Sequence, residues 1–345
     1  MEQIDLADDV KLVLKENVLA LICDSALKTV SSAIYNGGSN QVKAVLNVGV
    51  PEGYSDLSLH LDPLELITSS AAKLGLTKGY LAMVTAAKVK NFSLVSKKAD
   101  TFSVHVAATA GCSHGESSGE EMDVQEIQGT INIIVLIDGN PTDSGMVAAL
   151  ITATEAKSAV LRDFDVRSRY SGDSATGSIT DSVTVASTNR GKKLTLAGPA
   201  SKLGRVVAYC ARQAVTEALL KQEPVWACRS VLDRLKERHL PLEKLAYELS
   251  KVEGLAVDAA GLAGILKNSR SAVALLLAAA KMDDDYTKNL LPTDFIDWAE
   301  ASKCFGSCTL SEMDYSKLHG YESVKLPPFL KHALINIVKN SQSSS

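Results

Sequence analysis

The stretch ATGSITDSVTVAS, residues 175–187, joins a turn of small and hydroxyl residues directly to an apolar run. The run SVTVAS alternates β-branched and small residues, which is typical of a buried strand. Gly177 lets the backbone approach a ligand closely, and the hydroxyls and one carboxylate lie on the same turn. Because turns held by rigid strands often carry binding residues, this stretch predicts both a sheet and a site beside it.

Outward from this stretch, β-branched runs alternate with helical patterns over residues 1–222. AVLNVGV (44–50) and TINIIVLID (130–138) predict strands, and KLGRVVAYCARQAVTEALLK (202–221) predicts a helix. Pro224 ends that helix, and residues 230–340 show periodic Leu, Ala and Val with almost no strand signal. We therefore predict an α/β fold, an α+β layered sandwich, in domain 1–222 and a second, all-α domain in 230–340.

The first domain shows signs of an internal duplication. MVTAAKVKNFSLV (83–95) and LITATEAKSAVL (150–161) both look helical around a Thr-Ala pair, and each precedes a strand-like run that ends in Thr and small residues. Thr85 and Thr152 are separated by 67 residues, as are Thr109 and Thr176. A true repeat would place a site at the seam between the halves. The alternative is coincidence in a chain rich in Ala and Thr.

Composition excludes several classes of function. The chain has 345 residues, 46% of them hydrophobic and 22% charged, which is ordinary for a globular protein with a core. Its 36 basic and 40 acidic residues are well mixed, so no basic face is offered to nucleic acid. No apolar run approaches the roughly 20 residues of a membrane span, and the N-terminus is acidic. We expect a cytoplasmic protein, with a homodimer as one option for its assembly.

The residues themselves suggest several candidates for catalysis. Asp181, on the glycine and threonine turn, suits a general base, although a helix cap or an Asx turn is the commoner use of such a residue. Glu155 and Lys157 on a predicted helix could hold an amide between base and acid, but residues two apart do not share a helix face. Cys112 and His114 invite a nucleophile pairing, with no further group to orient the imidazole.

Other polar residues suit the binding of a large ligand. Thr130 and Asn132 share one face of a strand, and Asn47 lies within an apolar strand where its amide needs a partner, either backbone or ligand. Residues 36–38 form a turn with access to positive φ. Lys202 precedes a helix, where an ammonium and N–H groups can receive an anion or a polarised carbonyl, although a surface lysine is the simpler interpretation.

Several of these motifs occur together in one known family. SSAIYNGG (31–38), VLNVGV (45–50), QGTINIIVL (128–136), TATEAK (152–157) and LAGPASKLGRVVA (196–208) stand in the family's order around the opening stretch. Over roughly residues 5–222 the chain resembles the adenosylcobinamide amidohydrolases. The resemblance implies cleavage of the amide that joins the aminopropanol arm to the corrin ring, releasing adenosylcobyric acid for coenzyme B12 assembly in cobinamide salvage.

The resemblance also selects positions, although the family pattern itself assigns no catalytic residue. We predict as catalytic Asp181, Glu155 and Thr176, and as substrate-binding Asn36, Gly37, Gly38, Asn47, Thr109, Gly111, Thr130, Asn132, Thr152, Lys157, Gly177, Thr180 and Lys202. A corrinoid is a broad, mostly apolar disc fringed with amides, so its site needs many neutral partners and few charges. Cobalt arrives with the substrate, and we expect neither a protein metal site nor a cofactor. Ile179 departs from the family, which usually has a second glycine there.

The second domain resembles, more faintly, α-ribazole phosphatases related to phosphatidylglycerophosphatase A. The likeness rests on DYSKLHGYESVKLPPFLKHALINIV (314–338), where Lys331 and His332 replace the paired aspartates that would hold Mg²⁺. This implies a degenerate, inactive domain with a structural or dimerising role. The acidic run 283–285 is interpreted as a solvated helix end. For the whole chain, the alternatives to an amidohydrolase are a non-catalytic corrinoid-binding protein and a different amidase on the same scaffold.

Overall fold

The structure is a computed structural model of the chain, and it shows two compact units, Met1–Cys228 and Arg229–Ser345. The residues it describes are 2–51, 63–113, 115–121, 129–267, 269–292, 297–305 and 315–343. The first unit combines a mixed sheet with helices, and the second is helical. This confirms the predicted fold class, an α/β fold followed by an all-α region.

The first unit is organised around one large mixed sheet. Its described strands follow the order β1-β2-β3-β10-β8-β7-β6, with β4 paired to β3 and β5 paired to β4. A small parallel ribbon joins β9 to β11. The strands are β1 Glu2–Ala7, β2 Val10–Lys15, β3 Val18–Ser31, β4 Gly38–Gly49, β5 Tyr80–Thr85, β6 Ser93–Lys98, β7 Ser103–Gly111, β8 Thr130–Asp138, β9 Asn140–Pro141, β10 Ser182–Ser187 and β11 Lys193–Leu194.

The described part of the first unit has three α-helices: α1 Leu64–Lys73, α2 Asp143–Asp163 and α3 Lys202–Gln222. Side chains alternate along β8, so that Ile131, Ile133, Val135 and Ile137 pack in the core that α2 and α3 cover. Ile134 and Leu136 point to the other face, where they pack against residues of β3, β4 and β5. The strand is therefore buried on both faces, which explains why TINIIVLID is almost continuously apolar.

The same order of elements occurs twice in the first unit. An antiparallel pair, β3 and β4, is followed by α1 and by β5, which runs parallel to β4. The pair β7 and β8 is likewise followed by α2 and by β10, which runs parallel to β8. Antiparallel pairing of β10 with β3 joins the two sets. The topology is therefore duplicated.

The residue correspondence predicted for this duplication is wrong. Residues 83–95 form the end of β5, a short 3₁₀ turn at Val89–Asn91 and the start of β6, whereas 150–161 lie inside α2. Thr85 and Thr152 are thus not equivalent, and neither are Thr109, on β7, and Thr176, on a loop. Ala and Thr in MVTAA imitate a helical pattern, but β5 is buried beside β4, and tertiary burial overrides local propensity.

The second unit is a cluster of helices around its own core. The helices are α4 Val231–Lys236, α5 Leu242–Leu249, α6 Ala259–Lys267, α7 Arg270–Thr287, α8 Trp298–Ala301 and α9 Pro328–Ser343. Among the described helices, none is long and apolar enough alone to cross a membrane; the bent pair α6 and α7 reaches that length and composition only together.

The prediction that the acidic run 283–285 is solvated is wrong for Asp283, which is buried. It is 5% exposed and accepts hydrogen bonds from the backbone N–H groups of Phe329 and Leu330 at 2.9 and 2.8 Å. Burial raises its pKa to about 6. The carboxylate therefore caps the first turn of α9 from inside the core.

Candidate active site

A cleft of about 360 Å³ opens where the turn 176–181 meets one face of α2. The loop 116–120 forms the opposite wall, and Ile179 supplies an apolar side chain. Helix α2 contributes Thr154, Lys157 and Ser158. Lys157 and Ser158 come three and four residues after Thr154, so all three side chains lie on the same side of the helix. The cleft is near the lower end of the range for small-molecule sites, so it has room for one arm of a large ligand.

Lys157 and Asp181 form an ion pair at the base of this cleft. Their side chains are only 8% and 13% exposed. The Asp181 carboxylate accepts four hydrogen bonds: from the Lys157 ammonium, from the Ser178 hydroxyl and backbone N–H, and from the backbone N–H of Ile131 at 3.0 Å. An ionised carboxylate has about four acceptor positions, so these donors fill it. The pair is consequently fixed in place.

Gly177 allows this ion pair to form beside the turn. A Cβ built on Gly177 would lie 2.5 Å from Asp181 Oδ2 and 3.0 Å from Lys157 Nζ. Any other residue would push the two charged groups away. The sequence predicts a glycine that permits close approach of a ligand; in the structure, the groups that approach are the protein's own ammonium and carboxylate.

Glu116 is the residue that sequence reasoning missed. It lines the cleft and is 7% exposed, and neither of its carboxylate oxygens accepts a hydrogen bond from the described part of the chain. Arg169 Nε lies 3.4 Å from Oε1. Burial raises the pKa of the Glu116 carboxyl above its usual value, Arg169 opposes that rise and Glu120 adds to it. A desolvated carboxylate in a cleft is a strong candidate for acid–base chemistry.

Backbone pairing holds Glu116 opposite the turn. Its N–H donates to the Gly177 carbonyl at 2.9 Å, and its own carbonyl accepts from the Thr176 N–H at 2.9 Å. Ser118 donates its N–H to Thr176 Oγ1 at 3.0 Å, and the two hydroxyls lie 2.9 Å apart. The two walls of the cleft are therefore one hydrogen-bonded unit, and α2 joins it through the Ser158 hydroxyl, which donates to the Thr176 carbonyl.

Four of the predicted binding residues are buried outside the cleft lining, and three of them, Asn47, Thr109 and Asn132, form one hydrogen-bonded network. Asn47 Nδ2 donates to Thr109 Oγ1 at 2.9 Å, and Asn132 Nδ2 donates to Asn47 Oδ1 at 2.8 Å and to the Val84 carbonyl at 2.9 Å. Thr130 connects the region to Thr180, with the hydroxyls 3.0 Å apart. Asn47, Thr109, Thr130 and Asn132 are each at most 1% exposed. Their partners are protein groups, which was one of the two options for Asn47.

The remaining predicted residues lie away from the cleft lining. Glu155 is exposed on α2, turned from the face that carries Lys157. Thr152 is buried and donates to the Ala197 carbonyl at 2.9 Å. Lys202 forms an exposed ion pair with Asp100.

The predicted glycine-rich turn and Gly111 have local partners. Asn36 adopts a φ of 51° and its amide donates to the Tyr80 carbonyl at 3.0 Å. A Cβ on Gly37 would lie 2.2 Å from the Ala33 carbonyl oxygen, and Gly38 has a φ of 83°. Gly111 ends β7, and the Glu223 carboxylate accepts from the N–H of the next residue, Cys112, at 3.1 Å. The turn 36–38 thus serves the connection between β3 and β4.

Cys112 does not suit the role of a nucleophile. It is fully buried, and burial, reinforced by the negative charges of Asp181 and Glu223, raises the pKa of its thiol far above the usual value. A buried thiol of this kind is inert. His114, its predicted partner, lies outside the described residues. In the described part of the chain, no three His, Cys, Asp or Glu side chains are placed to hold a metal ion.

A comparison with known families matches residues 3–226 to the adenosylcobinamide amidohydrolases, CbiZ. The match covers the whole first unit as far as its last turn. The chain belongs to the adenosylcobinamide amidohydrolase family. The resemblance seen in the sequence motifs of the first domain is therefore confirmed at the level of the family.

Two curated proteins are similar to this amidohydrolase family member. An adenosylcobinamide amidohydrolase of Methanosarcina mazei is 27% identical over 206 residues, which is 58% of this chain and 90% of that one. An uncharacterized protein of Methanocaldococcus jannaschii is 29% identical over 209 residues, 54% of this chain and 81% of that one. The crystal structure of the PH0078 protein from Pyrococcus horikoshii aligns with 62% of this chain and 83% of its own at 12% identity, with a TM-score of 0.33.

The phosphatase resemblance of the second unit stays a prediction. The structure gives packing roles to the two residues in question. Lys331 Nζ lies 3.6 Å from the centre of the Tyr321 ring, and His332 is buried with its Nδ1 2.9 Å from the Ser302 hydroxyl. The structural or dimerising role expected for this unit rests on the replacement of the paired aspartates by Lys331 and His332 in the sequence.

Proposed function

We propose that this family member hydrolyses the aminopropanol amide of adenosylcobinamide to adenosylcobyric acid and the free amine. The observation that supports this most is the pairing, in one cleft, of a desolvated carboxylate, Glu116, with a fixed ammonium, Lys157. Amide hydrolysis needs a base for water, a positive group for the developing oxyanion and an acid for the leaving amine. These two side chains can serve all three needs.

Glu116 is proposed as the base and then the acid. Its ionised carboxylate takes a proton from water as the water oxygen attacks the amide carbon. The same proton then passes to the amide nitrogen as the carbon–nitrogen bond breaks, and the amine leaves. A raised pKa makes the carboxylate a better proton acceptor than an ordinary glutamate. Arg169, 3.4 Å away, keeps the ionised form accessible.

Lys157 is proposed to stabilise the oxyanion. The ammonium has three N–H donors, of which Asp181 accepts one, and its low exposure strengthens its field on a bound carbonyl. Asp181 then acts as a positioning residue, since its oxygens are already filled by four donors. Thr176 orients the loop of Glu116 through Ser118. The role of Asp181 as general base, predicted from sequence, is the competing assignment.

The experiment incubates the purified full chain with adenosylcobinamide, with and without a metal chelator, and detects adenosylcobyric acid and aminopropanol by mass spectrometry. We expect product in both conditions from the wild type and from Glu65→Gln, a matched change at an exposed glutamate of α1. Glu116→Gln should lose activity by about 10²- to 10⁴-fold, the usual contribution of a general acid–base group.

Three other results would redirect the assignment. Corrinoid binding without product from the wild type would favour a binding protein. Release of an amine from other amides alone would favour a different amidase. Loss of activity in Glu155→Gln, with Glu116→Gln unaffected, would return the chemistry to the residues predicted from sequence.

A further inference from the structure

The outer face of α2 exposes large apolar side chains next to the cleft. Val147 and Ile151 are 48% and 51% exposed. Leu196, on the segment that follows β11, is 72% exposed. Apolar side chains gathered beside a polar cleft, rather than scattered singly, indicate a binding surface. We call Val147 and Ile151 the apolar strip.

Helix geometry makes the strip continuous with the cleft. Val147, Ile151, Thr154 and Ser158 follow one another at spacings of four, three and four residues, so they lie on one face of α2. Thr154 and Ser158 line the cleft, whereas Val147 and Ile151 continue the same face beyond it. At about 1.5 Å per residue the face runs roughly 16 Å from Val147 to Ser158.

Leu196 lies on a segment that backbone contacts hold against α2. The Thr152 hydroxyl donates to the carbonyl of Ala197 at 2.9 Å, and the Thr142 N–H donates to the carbonyl of Leu194 at 2.9 Å. The segment 194–197 therefore runs along α2 from its first turn to the turn of Ile151. These hydrogen bonds hold the backbone on either side of Leu196 against α2.

We infer that the apolar strip binds the flat face of the corrin ring while the aminopropanol arm enters the cleft. This rests on the proposed function. A cleft of about 360 Å³ holds an arm, so the rest of the substrate must lie outside it, and the strip begins where the cleft ends on the same helix face. Ile179 adds an apolar side chain to the lining of the cleft. Glu155 is exposed four residues after Ile151, beside the strip.

The test compares Val147→Ser/Ile151→Ser with the wild type and with Leu64→Ser, which removes a 49% exposed apolar side chain from α1. The KM for adenosylcobinamide and the inhibition constant for adenosylcobyric acid, which has the ring without the arm, are measured on the full chain. Burial of the exposed parts of two apolar side chains predicts a rise of about tenfold in both constants. We expect kcat and the melting temperature to stay near wild-type values, with Leu64→Ser unchanged.

Three other results would each lead to a different conclusion. Wild-type turnover with unchanged constants in the double variant overturns the strip and leaves the proposed function standing. A change in oligomeric state by light scattering, with unchanged constants, assigns the strip to a second copy of the chain and overturns the inference. A wild type that neither binds nor hydrolyses the corrinoid removes the proposed function and the inference with it.

Discussion

Gly177→Ala tests whether the position of the buried ion pair controls the reaction. The added Cβ would lie 2.5 Å from Asp181 Oδ2 and 3.0 Å from Lys157 Nζ. Non-bonded heavy atoms settle near 3.5 Å, so the carboxylate must retreat by about 1 Å. That movement stretches the bonds from Ile131 and Ser178 that hold Asp181.

A misplacement of about 1 Å in a catalytic group costs on the order of 10²-fold in rate. We therefore expect kcat/KM for adenosylcobinamide to fall about 100-fold, while overpacking lowers the free energy of unfolding by about 1–3 kcal/mol. Product formation is followed by liquid chromatography, and folding by circular dichroism. Gly264→Ala is the matched control, because a Cβ there meets no atom within 4 Å. Wild-type kcat/KM in folded Gly177→Ala would refute the role given to the ion pair.

The remaining predictions concern charge. Since Arg169 lowers the pKa of Glu116, Arg169→Gln should move the acid limb of the kcat/KM profile to higher pH, and an unmoved limb would show that Glu116 is not the titrating base. Asp181→Asn should lower kcat more than it raises KM, because it misplaces Lys157; a pure KM effect would point to substrate binding instead. Asp283 has a folded-state pKa raised from 3.8 to about 6, so its ionisation destabilises the second unit by about 3 kcal/mol as pH rises from about 4 to 7. The free energy of opening of α9, measured by amide hydrogen exchange, should therefore depend on pH in the wild type and lose that dependence in Asp283→Asn. The same pH dependence in the wild type and the variant would contradict this prediction.

Much of the fold could be predicted because apolar periodicity reports burial directly. TINIIVLID and SVTVAS are strands, and KLGRVVAYCARQAVTEALLK is a helix, as the patterns indicate. The order of the strands could not be predicted, since pairing of β10 with both β3 and β8 joins segments up to about 150 residues apart. The misassigned stretch 83–95 shows the limit of propensity, because burial beside β4 decides it.

Individual residues of the site could be predicted from the sequence, but the contacts between them could not. Lys157 and Asp181 were singled out separately, but their contact spans 24 residues and depends on how α2 packs against the turn. Glu116 was missed because a glutamate in a serine- and glycine-rich loop looks solvated, and its burial follows from pairing with Thr176 and Gly177. The one signal was its position, five residues after β7 ends at Gly111.

The central claim is that water cleaves an amide at this cleft with Glu116 as the base. The most direct measurement incubates adenosylcobinamide with wild-type protein and with Glu116→Gln in isotopically labelled water, followed by mass spectrometry of the corrinoid. We predict that the wild type places one labelled oxygen in the new carboxylate of adenosylcobyric acid, and that Glu116→Gln forms almost none. An unchanged corrinoid from the wild type, or labelled product at equal rates from both proteins, would contradict the account.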